Sequence, residues 1–343
     1  MPVNFKKTIL LTGAGFTANF GGVLAREMWS KILNNKKIDD LPEAKKLLME
    51  NFDFEAVASE FLNKHTTTAD QKVLFQKIIS ESYESMDRTI KHFCTHGFND
   101  YGVSWSNVAR FLALFNGAGS QKGVHFTLNQ DLLLERAIQA HGLGLTAVTH
   151  RDYWYSIFQN QLDANVPVQL PDEAGVQDYI TNRLPTEGSS YYVKLHGSQG
   201  WVSYAGGNQM VIGKNKANDI QSEPLLKWYS SLFEEALYRE DVSLFVIGYS
   251  FRDEHINDIL IKAIEEFGLK LFVISPEDPE RLRDRLEGKD TVPAGASYER
   301  QVRRLKIWDA IRGYFPYTLG DIFPTGNDDG TETYKDIKKN IEE

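Results

Sequence analysis

Apolar positions along this chain fall into two recurring patterns. Short unbroken runs, Thr8 to Leu11, Val124 to Leu128, Tyr191 to Leu195, Ser243 to Ile247 and Leu269 to Ile274, have the character of strands covered on both faces, as inside a parallel sheet. Between them, apolar residues recur at helical spacing. Leu24, Met28 and Ile32 share one face of a helix predicted over Val23 to Leu33, and Leu225 to Tyr238 and Glu254 to Phe267 predict two more. This alternation of strand, turn and helix predicts an α/β fold, a Rossmann-like doubly wound parallel sheet with helices on both faces.

One long stretch departs from the alternation. From Leu41 to Leu114 the stripes are helical only, carried by Leu47, Leu48, Phe52, Phe54, Val57, Phe61, Leu62, Val73, Leu74, Ile78, Ile79, Val108, Phe111, Leu112 and Leu114. The expected organisation is a sheet domain over 1–37 and 116–323, an all-helical insert over 38–115, and a C-terminal linker and short helix over 324–343. Asp53, Glu55 or Glu60 of the insert can line a cleft, with solvated helix charges as the simpler account. Thr146 to Asn182 mixes aromatics, prolines and acidic residues without sustained period, which predicts irregular structure with short strands. Gln209 to Ile212 reads as a short edge strand. Beyond Thr291 the chain reads as helical to Trp308, and Pro324 to Gly330 as a flexible linker. Tyr334, Ile337 and Ile341 then form an apolar stripe that packs either on its own domain or on a neighbouring subunit, making a homo-oligomer.

Composition narrows the function classes. A net charge of -9 over 343 residues argues against an extended nucleic-acid-binding surface, and Arg281, Arg283, Arg285, Arg303 and Arg304 read as solvated helix faces. Cys94 is the sole cysteine, so there is no intramolecular disulfide and no four-cysteine zinc site. His92, Cys94 and His96 have a metal-like spacing, but on a helix only the two histidines share a face, and no metal is expected there. No apolar run approaches a membrane span, and no signal peptide precedes the first strand, so the expected location is the cytoplasm, with no membrane partner.

The candidate chemistry sits at the ends of the strand runs. Gly13, Gly15 and Ala18 fit the G-x-G-x-x-G/A spacing, in which glycines permit a tight turn and close approach to a pyrophosphate. Thr127-Leu-Asn129-Gln-Asp131, Lys194-Leu-His196-Gly197-Ser198, Gly248-Tyr-Ser250-Phe-Arg-Asp253 and Ser275-Pro276 follow the other runs. In a doubly wound sheet all of these lie at the edge where ligands bind. Each has a plainer use as well. Asn129, Asp131 and Asp253 suit helix caps, and His196 suits a turn hydrogen-bonded to backbone.

These motifs, in this order, resemble the sirtuin superfamily, with its G-A-G-x-S/T turn, its T-x-N-x-D motif and its histidine before glycine. The resemblance covers roughly Thr8 to Ser275. The zinc ribbon of the deacylases is missing, and Asn19-Phe20-Gly21-Gly22 replaces their aspartate-phenylalanine-arginine run. The chain is therefore similar to the divergent bacterial sirtuin-like group, whose members cleave NAD in anti-phage defence, often with a second protein. The resemblance implies an NAD glycohydrolase releasing nicotinamide and ADP-ribose, with NAD as substrate and a second defence protein, such as a ring-forming ATPase, as partner.

Residue chemistry agrees with that reaction. Cleaving the nicotinamide-ribose bond passes through an oxocarbenium-like transition state, so the site must hold the sugar, bind the leaving amide and position water. Asn129 can hydrogen-bond the ribose or the water, and His196 can act as general base. Asp131 is a candidate partner for the carboxamide. Gly13, Ala14, Gly15 and Thr17 would cradle the diphosphate, Gly248 and Ser250 would border the nicotinamide-side ribose and phosphate, and Ser275 the adenosine end. A non-catalytic NAD or ADP-ribose sensor, and an NAD-dependent deacylase or ADP-ribosyltransferase, are the competing readings.

Overall fold

The computed structural model describes residues 3–96, 102–141, 146–147, 167–184, 188–213, 216–289, 298–327 and 330–342. Its strands are β1 (Thr8–Thr12), β2 (Gly123–Thr127), β3 (Thr146–Ala147), β4 (Val168–Gln169), β5 (Ser190–Lys194), β6 (Gly197–Val202), β7 (Asn208–Met210), β8 (Ser243–Ile247), β9 (Lys270–Ile274) and β10 (Ile311–Phe315). Seven of them form one sheet in the order β10-β9-β8-β1-β2-β5-β3, and every adjacent pair is parallel. A smaller sheet, β4-β6-β7, has one parallel and one antiparallel pair.

The unalternated apolar runs follow from this order. β1, β8 and β9 each have neighbours on both sides, and Leu10, Leu11, Leu244, Phe245 and Leu271 are buried completely. Full burial of each such side chain contributes about 1.5–3 kcal/mol. Chain order reverses at β1, which pairs with β2 on one side and with β8 on the other. The crevice beyond the carboxyl ends of β1 and β8 is therefore the topological switch point, where ligands of this architecture bind.

Between β1 and β2 lie the helices α1 (Ala14–Ala18), α2 (Ala25–Leu33), α3 (Pro42–Glu50), α4 (Phe54–Asn63), α5 (Ala69–His96) and α6 (Trp105–Ala113). They are followed by α7 (Leu133–His141), α8 (Glu173–Asn182), α9 (Lys216–Ser222), α10 (Pro224–Leu237) and α11 (Glu254–Phe267). The chain ends with α12 (Pro279–Leu286), α13 (Tyr298–Asp309), α14 (Leu319–Ile322) and α15 (Glu332–Glu342). α11 buries Ile256, Ile259, Leu260 and Ala263 at helical spacing and stops at Gly268, whose φ of 69° is the left-handed cap that glycine adopts without strain. No described helix is long and apolar enough to cross a membrane.

Three elements differ from the sequence reading. α8 lies in a segment expected to be irregular. Its cap, Asp172, accepts from the Gly175 N–H at 2.9 Å, and only Val176 and Tyr179 are buried, so two apolar positions gave too short a stripe to register. β6 begins directly after His196, which reads from the sequence as a turn histidine, and its glycines hide its strand character. β10 was not expected at all: it is an edge strand carrying Arg312 and a register shift between Ile311 and Gly313. Most of the expected irregular stretch, from 148 to 166, lies outside the described residues, as do 291–297.

The C-terminal stripe packs on its own chain. Ile337 and Ile341 are buried, and Tyr334 stacks edge-on against Phe323 at 5.3 Å. The stretch ahead of it is tied down rather than free through Asn327: Asn107 Nδ2 donates to the Asn327 carbonyl at 2.7 Å, and Thr325 N–H donates to the Gly102 carbonyl at 3.3 Å.

Candidate functional site

Because β9, β8, β1, β2 and β5 are consecutive parallel strands, the residues following them share one sheet edge. Gly13, Ala14, Gly15, Thr17, Asn129, Asp131, His196, Gly248, Ser250 and Ser275 all follow those strands. The glycines have a specific reason to be there. Gly13 N–H donates to the Ile247 carbonyl and Gly15 N–H to the Gly248 carbonyl, both at 2.9 Å. A Cβ on Gly15 would sit 2.7 Å from Gly248 Cα, and one on Gly248 would sit 2.4 Å from the Gly15 carbonyl carbon. Two backbones touch here, which only glycine allows.

Asn129 joins the second strand end to this turn. Its Nδ2 donates to the Gly13 carbonyl at 2.9 Å and to Thr17 Oγ1 at 2.8 Å. Thr17, buried itself, passes its hydroxyl on to the Asp131 carboxylate. Asp131 Oδ1 also accepts from Leu133 N–H at 3.0 Å, so it caps α7. Burial pushes the Asp131 carboxyl up, against the pull of Lys194. Lys194 hydrogen-bonds the Asp131 carbonyl and pairs with Glu135 at 2.8 Å, with both side chains almost wholly buried. Thr17, Asn129 and Asp131 thus form one hydrogen-bonded unit.

His196 lies in a second unit. The Leu128 backbone, one residue before Asn129, lies beside its ring. Its Nε2 faces Nε2 of His255 at 2.9 Å. Burial lowers the His196 pKa to about 3 despite the nearby Asp253 carboxylate. The ring is therefore neutral, and the two facing nitrogens share one proton between them. His196 is only 3 % exposed, whereas His255 is half-buried.

Beside the two rings runs a chain of charges. Lys216 Nζ donates to Asp253 Oδ1 at 2.6 Å and contacts Glu55 Oε2 at 2.7 Å. Burial would raise the Asp253 carboxyl, but the Lys216 ammonium hydrogen-bonded to it holds it low. Glu55 is shifted up, because burial there exceeds the pull of Lys216. For Lys216, Asp253 and Glu55 overcome burial and raise the pKa. Asp253 stands at the head of α11, but its carboxylate makes no capping hydrogen bond. Glu55 comes from α4, so the helical insert reaches this edge.

His196, Asp253 and His255 place ligand atoms within 4.8 Å of one another. Lys216 already neutralises Asp253, and the facing ring nitrogens already share a proton, so the group is satisfied as a hydrogen-bonded ion-pair cluster. Burial pushes the Cys94 thiol up to about 12, which keeps it protonated and a poor metal ligand. The side chain of His96 lies outside the described residues.

The remaining candidates lie toward β9. Ser250 is exposed, and its carbonyl accepts from Arg285 Nε at 2.9 Å. Arg285, expected on a solvated face, is instead buried and paired with Glu277 at 2.6 Å, bracing this turn. Ser275 Oγ accepts from Glu277 N–H at 3.3 Å.

A family model described as a SIR2-like domain matches residues 123–294. The chain belongs to the SIR2-like family. SIR2-like domains use NAD. The match contains Asn129, Asp131, His196, Lys216, Asp253, His255 and Ser275, while the glycine turn lies ahead of it and joins through the pairing of β1 with β2 and β8. No curated protein matches the chain. Sequence reasoning missed His255 and Lys216 in this SIR2-like site and treated Glu55 as solvated. His255 carried a signal, two residues beyond Asp253 in a strand-end motif; Lys216 sits in a polar stretch without any pattern.

Proposed function

We propose that this SIR2-like chain is an NAD glycohydrolase, cleaving the bond between the nicotinamide nitrogen and ribose C1′ to give nicotinamide and ADP-ribose. The observation that carries the reading is Asn129 bonded to both the Gly13 carbonyl and the Thr17 hydroxyl at the switch point. That linkage fixes an uncharged amide beside a phosphate-type turn, with its Oδ1 left to meet a ribose hydroxyl or the attacking water. Gly13, Ala14, Gly15 and Thr17 border the diphosphate, Gly248 and Ser250 the nicotinamide-side ribose and phosphate, and Ser275 the adenosine end. Asp131, engaged with Thr17 and Leu133, braces Asn129 rather than meeting the carboxamide.

Electrostatics favour a cationic transition state. Glu55 and Asp253 set two carboxylates against the single ammonium of Lys216, and an excess of negative charge stabilises an oxocarbenium-like sugar. The nicotinamide leaves as a neutral pyridine, its ring nitrogen taking the bonding electron pair, so its departure needs no acid. The imidazole pair of His196 and His255 takes up the proton that water gives up.

The resemblance to NAD-cleaving bacterial defence proteins supports a role as an effector that depletes NAD during phage infection, as a homo-oligomer with a second defence protein. Purified chain incubated with NAD is expected to release nicotinamide and ADP-ribose in equal amounts, measured by chromatography. The burial of His196 favours a second reading, an NAD or ADP-ribose sensor, which would bind nucleotide tightly in calorimetry and release no nicotinamide under any condition.

A further inference from the structure

We propose that the helical insert completes the site: Glu55 of α4 is a positioning residue that acts through Lys216 and Asp253 on the imidazole pair of His196 and His255. The inference rests on the NAD-cleavage reading above and assigns further residues to that same site. Its basis is a run of short contacts. Glu55 Oε2 lies 2.7 Å from Lys216 Nζ, and Lys216 Nζ lies 2.6 Å from Asp253 Oδ1. An Asp253 carboxylate oxygen and one ring nitrogen of each histidine then lie within 4.8 Å of one another. The residues before Lys216 are fastened to both ends of this run: Val211 N–H donates to the His196 carbonyl at 3.1 Å, and a Cβ on Gly213 would sit 3.5 Å from the Glu55 carbonyl oxygen.

Neither central charge serves its own helix. Lys216 opens α9, the end where a cation opposes the helix dipole, and Asp253 stands at the head of α11 without making a capping hydrogen bond. Their mutual contact, with Glu55 behind it, accounts for both placements.

The remaining charges near the imidazoles are matched. Glu254 and Asp258, on the segment that carries His255, pair with Arg304 at 2.7 Å and Arg303 at 3.7 Å from α13. At the strand ends, Asp131 accepts from Leu133 N–H, and Lys194 pairs with Glu135. Glu55, Lys216 and Asp253 are left to set the local charge. Without Glu55, the Lys216 ammonium would cancel Asp253; with it, the run carries a net negative charge beside the pair. That charge favours the imidazolium formed in the reaction. A water oxygen bonds C1′, the C1′–N bond yields its electron pair to the nicotinamide nitrogen, and the water proton passes to the imidazole pair, which later releases it to solvent.

The test uses the full chain and two independent readouts. In the first, nicotinamide release is followed from about pH 5 to about pH 9 for wild type, Glu55→Gln, Lys216→Met and the double variant. Glu55→Gln removes a negative charge and is expected to move the acidic limb of kcat/KM down by about half a pH unit or more, whereas Lys216→Met removes the positive charge and moves it up. In the double variant Asp253 alone faces the pair, the net charge is that of wild type, and the limb is expected back near its original position. A purely structural role carries no such signs. Limbs that stay put in both single variants, limbs that move the same way, or shifts that fail to cancel in the double variant overturn the proposal. Glu55→Gln and the double variant leave no two carboxylates facing each other without a cation, so they decide the matter if Lys216→Met does not fold. The second readout is nitrogen NMR of histidine-labelled protein, in which the apparent pKa of the pair is expected to fall in Glu55→Gln and to return in the double variant; an apparent pKa unchanged by Glu55→Gln overturns the proposal. Wild type that releases no nicotinamide counts against the NAD-cleavage reading alone, and the NMR titration still decides the role of Glu55.

Discussion

The N–H of Gly15 donates to the carbonyl of Gly248 at 2.9 Å, locking the turn after β1 to the turn after β8, backbone against backbone. This contact defines one wall of the crevice at the switch point. Gly248 has a φ of 64°, and a Cβ there would meet the Gly15 carbonyl carbon at 2.4 Å. The left-handed backbone alone costs about 1–2 kcal/mol for an L side chain, and the clash with main chain adds to it. Gly248→Ala is therefore expected to lose about 3 kcal/mol or more in urea unfolding, together with nucleotide binding. A variant of wild-type stability would show that the two turns are not held in contact.

Below the crevice, Lys194 and Glu135 pair at 2.8 Å with 2 % and 0 % of their side chains exposed. Lys194→Ala leaves a carboxylate in the core without its cation, an effect of about 3–5 kcal/mol. Replacing both together, Lys194→Met with Glu135→Leu, is expected to recover most of that loss, because the desolvated charges disappear as a pair. Urea midpoints of the single and double variants check the difference. Nucleotide binding by the double variant then reports whether Asp131, whose carbonyl Lys194 holds, still supports Thr17 and Asn129.

Acid sensitivity follows from two buried histidines. Burial lowers His125 and His196 from 6.5 to about 3. Above about pH 6.5 these rings are neutral in both folded and unfolded chains and contribute nothing to the pH dependence. Below it the unfolded chain takes up protons that the folded chain refuses, so stability falls as pH drops from about 6.5 toward about 3. Each ring contributes up to about 1.4 kcal/mol per pH unit in that window. The urea midpoint is expected to drop clearly between about pH 7.5 and about pH 5.5, and less so in a His125→Phe variant. A midpoint flat across that range would contradict the burial of both rings in a neutral state.

The inner strands were legible because burial on both faces writes itself into sequence as unbroken apolar runs, as in Ser243–Ile247 and Lys270–Ile274. β10 and β6 were not, since an edge strand with Arg312 and a strand carrying Gly197 and Gly200 lack that signature. The same holds for side chains. Asn129 and His196 announced themselves by following strands. Lys216 and Glu55 meet only because α4 folds against α9, a long-range contact that no local spacing encodes. Arg285 looked like one more surface arginine on a basic helix until its pairing with Glu277 and the Ser250 carbonyl was visible.

The central claim is that NAD lies across this edge with its ribose at Asn129, and the most direct measurement compares wild type with Asn129→Ala in NAD binding and nicotinamide release. Loss of the amide is expected to lower kcat by about 10²-fold or more while calorimetric affinity for NAD changes much less, because the group acts mainly on the transition state. Equal kcat for the two proteins, or NAD bound at a surface that Asn129→Ala and Gly248→Ala both leave untouched, would contradict it.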